Sequence, residues 1–260
     1  MNEAEVLFSS VLNRSRMSLY IDRDKLLTKD ESGAIAAALK RRISGEPLEY
    51  ILGKTEFMGL EFKVSPAVLI PRPETEILVE TVLSCCIGGP CLKILDLGTG
   101  SGCIAVSLAK FLPDAEITAV DISKEALAIA AENARLNNTK VNFMRSDLFS
   151  ALPSSKYDVI VSNPPYVSSG EITGLQPELK HEPFIALAGG SDGLDFYRHI
   201  INVAPDHLEP AGLLIMEIGF GQRRDIEGLI KGSKKFEVMK IVKDYNNIDR
   251  VIAARERIGG

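Results

Sequence analysis

Leu92-Lys93-Ile94-Leu95-Asp96-Leu97-Gly98-Thr99-Gly100-Ser101-Gly102 decides the architecture of this chain. An apolar run with the look of a buried strand ends in three closely spaced glycines, and helical spacing starts directly after them, over Cys103–Phe111. A strand, a glycine turn and a helix in that order form the first unit of a parallel sheet. The glycines let backbone pass close under a ligand at the carboxyl ends of the strands.

The same alternation continues outward from this unit. Strands are expected at 116–120, 141–144, 157–162 and 213–217, and helices at 73–85, 124–136, 194–203 and 223–230. Strands alternating with helices imply an α/β fold, a mostly parallel, Rossmann-like sheet with helices on both faces. The last two strands, 236–242 and 249–254, are joined by too short a link for a crossover helix, so they should form an antiparallel hairpin at one edge.

Upstream the pattern differs. Val6, Leu7, Val11 and Leu12, then Ile35, Ala38, Leu39 and Ile43, recur at helical spacing. Thr28 and Glu31 supply a capping box, and Gly45-Glu46-Pro47 stops the helical pattern. Residues 1–49 are therefore expected to be a small helical domain. Residues 50–70, with strand formers such as Phe57, Phe62 and Val64 around Met58-Gly59-Leu60, are expected to be a β-hairpin connector, and 71–260 the main domain.

Composition narrows the function. Across 260 residues, 30 Lys and Arg stand against 35 Asp and Glu, a net charge of -5, which argues against coating nucleic acid by charge. No apolar run reaches the roughly 18 to 20 residues that span a bilayer, and the acidic start has no basic leader, so a cytoplasmic protein is expected. Cys85, Cys86, Cys91 and Cys103 fit no metal or redox spacing and lie far from His181, His199 and His207. They are expected to be reduced thiols, with no metal site.

The loop itself favours one cofactor class. Dinucleotide enzymes want G-x-G-x-x-G, whereas here the glycines run G-x-G-x-G and position 103 is Cys. Asp96 would repel a pyrophosphate but suits the ammonium end of an amino-acid-bearing nucleoside, so S-adenosylmethionine is favoured over NAD. Asp121 follows the next strand, where a carboxylate can accept from both ribose hydroxyls. Asp147 could accept from an adenine amino group and Leu148 could offer its N–H to the ring, although Asp147 also suits a helix cap.

Ser162-Asn163-Pro164-Pro165-Tyr166 closes the fourth strand of the main sheet. Two prolines force the chain out of the sheet and hold Asn163 and Pro164 in extended backbone. The Asn163 side-chain oxygen and the Pro164 carbonyl become two fixed acceptors, with the Tyr166 ring above them. A planar NH2 group fits this bracket by donating one hydrogen to each acceptor. Such nitrogens are poor nucleophiles, and acceptors that improve as the nitrogen becomes tetrahedral stabilise the transition state above the ground state.

Together these residues resemble class I S-adenosylmethionine-dependent methyltransferases acting on planar nitrogen. Ile70-Pro71-Arg72-Pro73-Glu74-Thr75-Glu76, Ser146-Asp147-Leu148-Phe149 and Glu182-Pro183…Gly190…Asp192-Gly193-Leu194-Asp195 narrow the likeness to the PrmC/HemK family. The resemblance spans essentially the whole chain. It implies methyl transfer to the glutamine amide (N5) in the Gly-Gly-Gln motif of peptide chain release factors. It implies S-adenosylmethionine bound by Gly98, Thr99, Gly100, Ser101, Gly102, Asp121, Asp147, Leu148 and Asn163. Glutamine would lie on Asn163, Pro164, Pro165 and Tyr166, with Asn163, Pro164 and Tyr166 as the catalytic set. The helical domain would then recognise the substrate protein, and Arg72 and Glu74 either shape the pocket mouth or form a salt-bridged helix start. A monomer is expected. The same tetrad could hold a base amine, so methylation of adenine N6 or guanine N2 in nucleic acid is the alternative, disfavoured by the negative charge and the near-neutral N-terminal block.

Overall fold

The computed structural model describes residues 2–86 and 92–257. The N-terminal part holds α1 (Glu3–Val11), α2 (Arg16–Ile21), α3 (Lys29–Ile43) and α4 (Leu48–Leu52). The capping box forms as expected: Thr28 Oγ1 accepts from the Glu31 N–H, and the Glu31 carboxylate accepts from the Thr28 N–H at 2.8 Å. Gly45-Glu46-Pro47 ends α3 but does not end helical structure. Pro47 sits just ahead of α4, which carries Tyr50, Ile51 and Leu52 out of the expected β connector. Proline's fixed φ suits the position just ahead of a helix, which the sequence pattern did not show.

β1 (Lys54–Phe57) and β2 (Leu60–Lys63) pair antiparallel about Met58 and Gly59. Both turn residues have positive φ, 53° and 70°, which matches the turn to the twist of the strands. The hairpin is tied down by side chains: the Glu76 carboxylate accepts from the Met58 N–H, and Asn133 bonds both the N–H and the carbonyl of Lys63.

The main sheet follows: α5 (Pro73–Cys86), β3 (Lys93–Leu97), α6 (Cys103–Phe111), β4 (Glu116–Asp121), α7 (Lys124–Leu136), β5 (Asn142–Arg145) and β6 (Tyr157–Ser162). After them come α8 (Ser169–Ile172), short 3-10 turns at Pro177–His181 and Phe184–Ala186, α9 (Asp195–Val203), β7 (Leu208–Glu217), α10 (Arg223–Ser233), β8 (Phe236–Lys243) and β9 (Asp249–Glu256). Strand order is β5-β4-β3-β6-β7-β9-β8, parallel from β5 to β7. The final hairpin is antiparallel, with β9 against β7 and β8 outermost. This is the mostly parallel sheet with an antiparallel edge hairpin read from the alternation.

β7 begins five residues earlier than expected, at Leu208 rather than Leu213. Its start runs through Pro210 and Gly212, two poor strand formers that mask it in sequence. Alternation along β3 explains the two-sided core. Ile94 packs with α5 and α6 residues on one face, while Leu95 and Leu97 pack with Ile200, Met216 and Ile226 on the other. Cys85, Cys86 and Cys103 are free thiols, burial pushing Cys86 up to about 11 and Cys103 up to about 12; Cys91 lies outside the described residues. Among the described residues no helix is long and apolar enough to cross a membrane.

Candidate active site

Two cavities meet at the carboxyl ends of the parallel strands. The first, about 320 Å³, is lined by Gly98 and Gly100 of the glycine loop, Asp121 and Ile122 after β4, Asp147 and Leu148 after β5, Asn163 to Pro165 after β6, and Phe196 of α9. The second, about 670 Å³, is lined by Tyr166, Arg72, Glu74, Glu182, Glu217 and Arg250, and by Arg42, Pro47, Leu48 and Glu49 from the N-terminal helices. Their linings share Leu69, Asn163, Pro164 and Ala186. The Asn-Pro-Pro-Tyr bracket therefore forms part of the wall between them.

The glycine loop divides its labour. Gly98 and Gly100, at φ 73° and 54°, present bare backbone to the first cavity. Thr99, Ser101 and Gly102 do not line it. The Thr99 hydroxyl turns inward and donates to Asp96 Oδ2 at 2.6 Å, and the Ser101 carbonyl accepts from Asn133 Nδ2 at 2.8 Å. A Cβ at Gly102 would stand 2.9 Å from Ala130 Cβ, so this glycine is where α7 packs against the loop. Asp96 shares the Ile94 face of β3 and is fully buried under the loop. Burial raises its carboxyl to about 7, opposed by the Thr99 bond. Its expected role toward an ammonium group is therefore not one of direct lining.

Asp121 does face the first cavity. Its Oδ2 accepts from the Gly100 N–H at 2.8 Å and its Oδ1 from the Ser123 N–H at 2.9 Å, which fixes the carboxylate without using all of its lone pairs. No helix follows Asp147; residues 147–151 form a turn in which Leu148 takes φ 46°. The helix-cap reading of Asp147 is thus replaced by a place on the cavity wall.

Around the bracket, Asn163 Nδ2 donates to Thr75 Oγ1 at 3.1 Å. Among the described residues no donor reaches Asn163 Oδ1 or the Pro164 carbonyl, so both acceptors are left for a ligand. The Tyr166 hydroxyl is pushed up to about 12 by burial, which keeps it protonated. Tyr166 is held through its own carbonyl, which accepts from Gln222 Nε2 at 3.0 Å; Gln222 Oε1 in turn accepts from the Gly219 N–H. Ser162 Oγ donates to the Leu97 carbonyl at 2.9 Å, fixing the end of β6 on β3.

Among the described residues Arg72 makes no salt bridge at the start of α5. It pairs instead with Glu182, a buried carboxylate that also accepts from the Ile70 N–H at 3.2 Å. Burial raises the Glu182 carboxyl despite Arg72. Arg42 of α3 pairs with Glu3 and with Glu178, joining the N-terminal helices to the 177–182 wall of the larger cavity. Thr75, Gln222, Glu182 and Glu217 were not among the expected site residues. Only Thr75 and Glu182 carried a signal, since both stand inside the quoted motifs.

Comparison with known proteins identifies the family. Residues 73–181 match the family described as Methyltransferase small domain, and residues 1–53 match the PrmC N-terminal domain. A Release factor glutamine methyltransferase from Geobacter sulfurreducens is 44% identical over 97% of this chain and 88% of its own length. Among solved structures, a methyltransferase from Pyrococcus furiosus superposes with a TM-score of 0.59 at 19% identity, covering 86% of this chain and 98% of its own. A 16S rRNA N2 methyltransferase from T. thermophilus, in complex with AdoMet and guanosine, gives 0.56 at 21%, covering 78% and 50%. At those identities the two structures establish the shared fold.

Proposed function

This chain belongs to the release factor glutamine methyltransferase family, and from that premise we propose how its two cavities divide the reaction. The chain transfers a methyl group to the side-chain amide nitrogen of glutamine in peptide chain release factors. S-adenosylmethionine as donor, and the Gly-Gly-Gln glutamine as acceptor, complete the proposal. The reaction belongs to translation and is placed in the cytoplasm.

The residues of the smaller cavity fit the donor. Its volume lies within the usual range for a small-molecule site. Asp121 offers a fixed carboxylate for ribose hydroxyls, Gly98 and Gly100 allow close approach, and Leu148, Ile122 and Phe196 supply apolar surface for a base beside Asp147. When bound, S-adenosylmethionine supplies a methyl carbon made electrophilic by its sulfonium.

The acceptor amide enters from the larger cavity. Its NH2 donates to Asn163 Oδ1 and to the Pro164 carbonyl, with the Tyr166 ring against its plane. As the nitrogen forms its bond to carbon it gains positive charge and its hydrogens become more acidic, so both acceptors bind more strongly than in the ground state. Pro164 and Pro165 keep this pair stiff, so little reorganisation is needed during the reaction. The N-methylated amide cation then sheds its proton to solvent in the wide cleft; no strong base is required.

The observation that carries the proposal is the position of Asn163 and Pro164 in both linings, with their acceptors free. Glu49, Glu74, Glu178, Glu182 and Glu217 in the larger cavity disfavour a phosphate backbone and weigh against nucleic acid as substrate. Mass spectrometry of a release factor incubated with the protein and S-adenosylmethionine is the test. A gain of one methyl on the Gly-Gly-Gln peptide is expected, and label entering rRNA or DNA while the release factor stays unmodified overturns the proposal.

A further inference from the structure

We propose that Glu217 is a positioning residue that fixes which end of the Asn163 amide faces the acceptor nitrogen, an inference that rests on the function proposed above. Glu217 ends β7, is 1% exposed and belongs to the wall of the larger cavity. Thr75 and Asn163 stand beside its carboxylate, where both hold its pKa down, and Asn163 Nδ2 donates to Thr75 Oγ1 at 3.1 Å. Its Oε2 has no partner among the described residues.

An ionised carboxylate can only accept hydrogen bonds. It draws the Thr75 hydroxyl hydrogen to itself, so Thr75 can only accept from Asn163. Both directions point the Asn163 NH2 inward and its Oδ1 outward. Were Glu217 protonated, it could donate to Thr75, and Thr75 could then donate to Asn163. The amide would be free to turn over and present NH2 to the substrate NH2, two donors face to face. A buried carboxylate with a missing partner is costly in stability, which makes a purely structural role a poor account of it.

Burial raises the Glu217 carboxyl to about 7, opposed by Thr75 and Arg250 and aided by Glu74. The groups that face it are Glu74 and Thr75 on α5, Arg250 on β9, Asn163 and Tyr166 after β6, Tyr197 on α9, whose hydroxyl bonds the Glu217 carbonyl at 2.9 Å, and Cys103 on α6. Tyr166 and Cys103 are pushed up to about 12 and Tyr197 well above its ordinary value, so none of these three titrates beside Glu217 near neutrality.

Two measurements test this on the full chain. In the free protein, the Asn163 side-chain 15NH2 resonances should move with an apparent pKa near 7, and Glu217→Gln should abolish that titration. In turnover with a release factor, kcat should fall about tenfold per pH unit below the Glu217 pKa, a limb that Glu217→Gln flattens at a kcat reduced at least tenfold. Donor affinity by calorimetry should change less than threefold. Should Glu217→Gln fail to fold, Thr75→Val serves in its place, with Thr75→Ser recovering most of the lost kcat. Asn163 resonances that ignore pH, or a Glu217→Gln enzyme that keeps both kcat and the acid limb, overturn the inference. A wild-type protein that methylates no release factor defeats the functional proposal instead, and leaves the resonance test standing.

Discussion

Gly193 lies against the backbone carbonyl of Tyr166, so close that a Cβ there would collide with the carbonyl oxygen. Gly193 also has φ 78°, and its own carbonyl accepts from the same Gln222 amide that holds Tyr166. The glycine of the Asp192-Gly193 motif is therefore needed to let the Asn-Pro-Pro-Tyr loop lie where it does.

Gly193→Ala should shift that loop. We expect kcat to fall at least tenfold, with stability lost by about 1–3 kcal/mol from the strained φ and the contact. Thermal melts and steady-state kinetics check the pair. A variant with normal kcat and only a lowered Tm would show that Gly193 serves the fold alone.

Asn163→Ala removes one of the two acceptors. Loss of a group that stabilises charge only in the transition state typically costs about 100- to 1,000-fold in kcat, and that is the expected loss. Asp121→Ala should act on the donor instead, raising its KM about 10- to 100-fold through a lost charge-assisted bond. Kinetics in both substrates separate the two, and an unchanged kcat in Asn163→Ala would refute the bracket mechanism.

Asp96→Asn probes the buried carboxyl beneath the glycine loop. Its folded pKa of about 7 lies above the ordinary carboxylate value of about 3.9, so the folded state holds the proton more tightly between those limits. Stability should therefore fall as pH rises from about 4 to 7, by an amount on the order of a few kcal/mol from this group. Asparagine cannot ionise, and the difference between variant and wild type should grow over that window in favour of the variant. Denaturant titrations at several pH values measure it; parallel curves would contradict the assignment.

Arg42→Ala cuts the ion pairs from α3 to Glu3 and Glu178. These are partly exposed, so each contributes only about 0–1 kcal/mol and Tm should move little. Release of the 177–182 wall should instead raise the KM for the release factor severalfold, with kcat nearly unchanged. An unaltered KM would separate the N-terminal helices from substrate docking.

What the sequence made legible was local. Three glycines after an apolar strand, two prolines after another, and the Thr28–Glu31 box each dictate backbone within a few residues, and each lies where the spacing put it. The parts that escaped depend on pairing across the sheet. Thr75 meets Asn163 across 88 positions, and Gln222 meets Tyr166 across 56. Glu217 reads in sequence as an ordinary polar end to an apolar strand. Spacing likewise could not distinguish the loop glycines that face the cavity from Gly102, because that depends on where Ala130 of α7 comes to rest.

Leu69, Asn163, Pro164 and Ala186 are the residues common to the two linings among those described, and this has a kinetic corollary. If donor and acceptor enter by the two cavities as proposed above, neither need bar the other's exit. Spent donor should then exchange while the bulky protein remains docked, and addition should follow random rather than compulsory order. Demethylated donor would then compete with fresh donor, yet act as a mixed inhibitor toward the release factor.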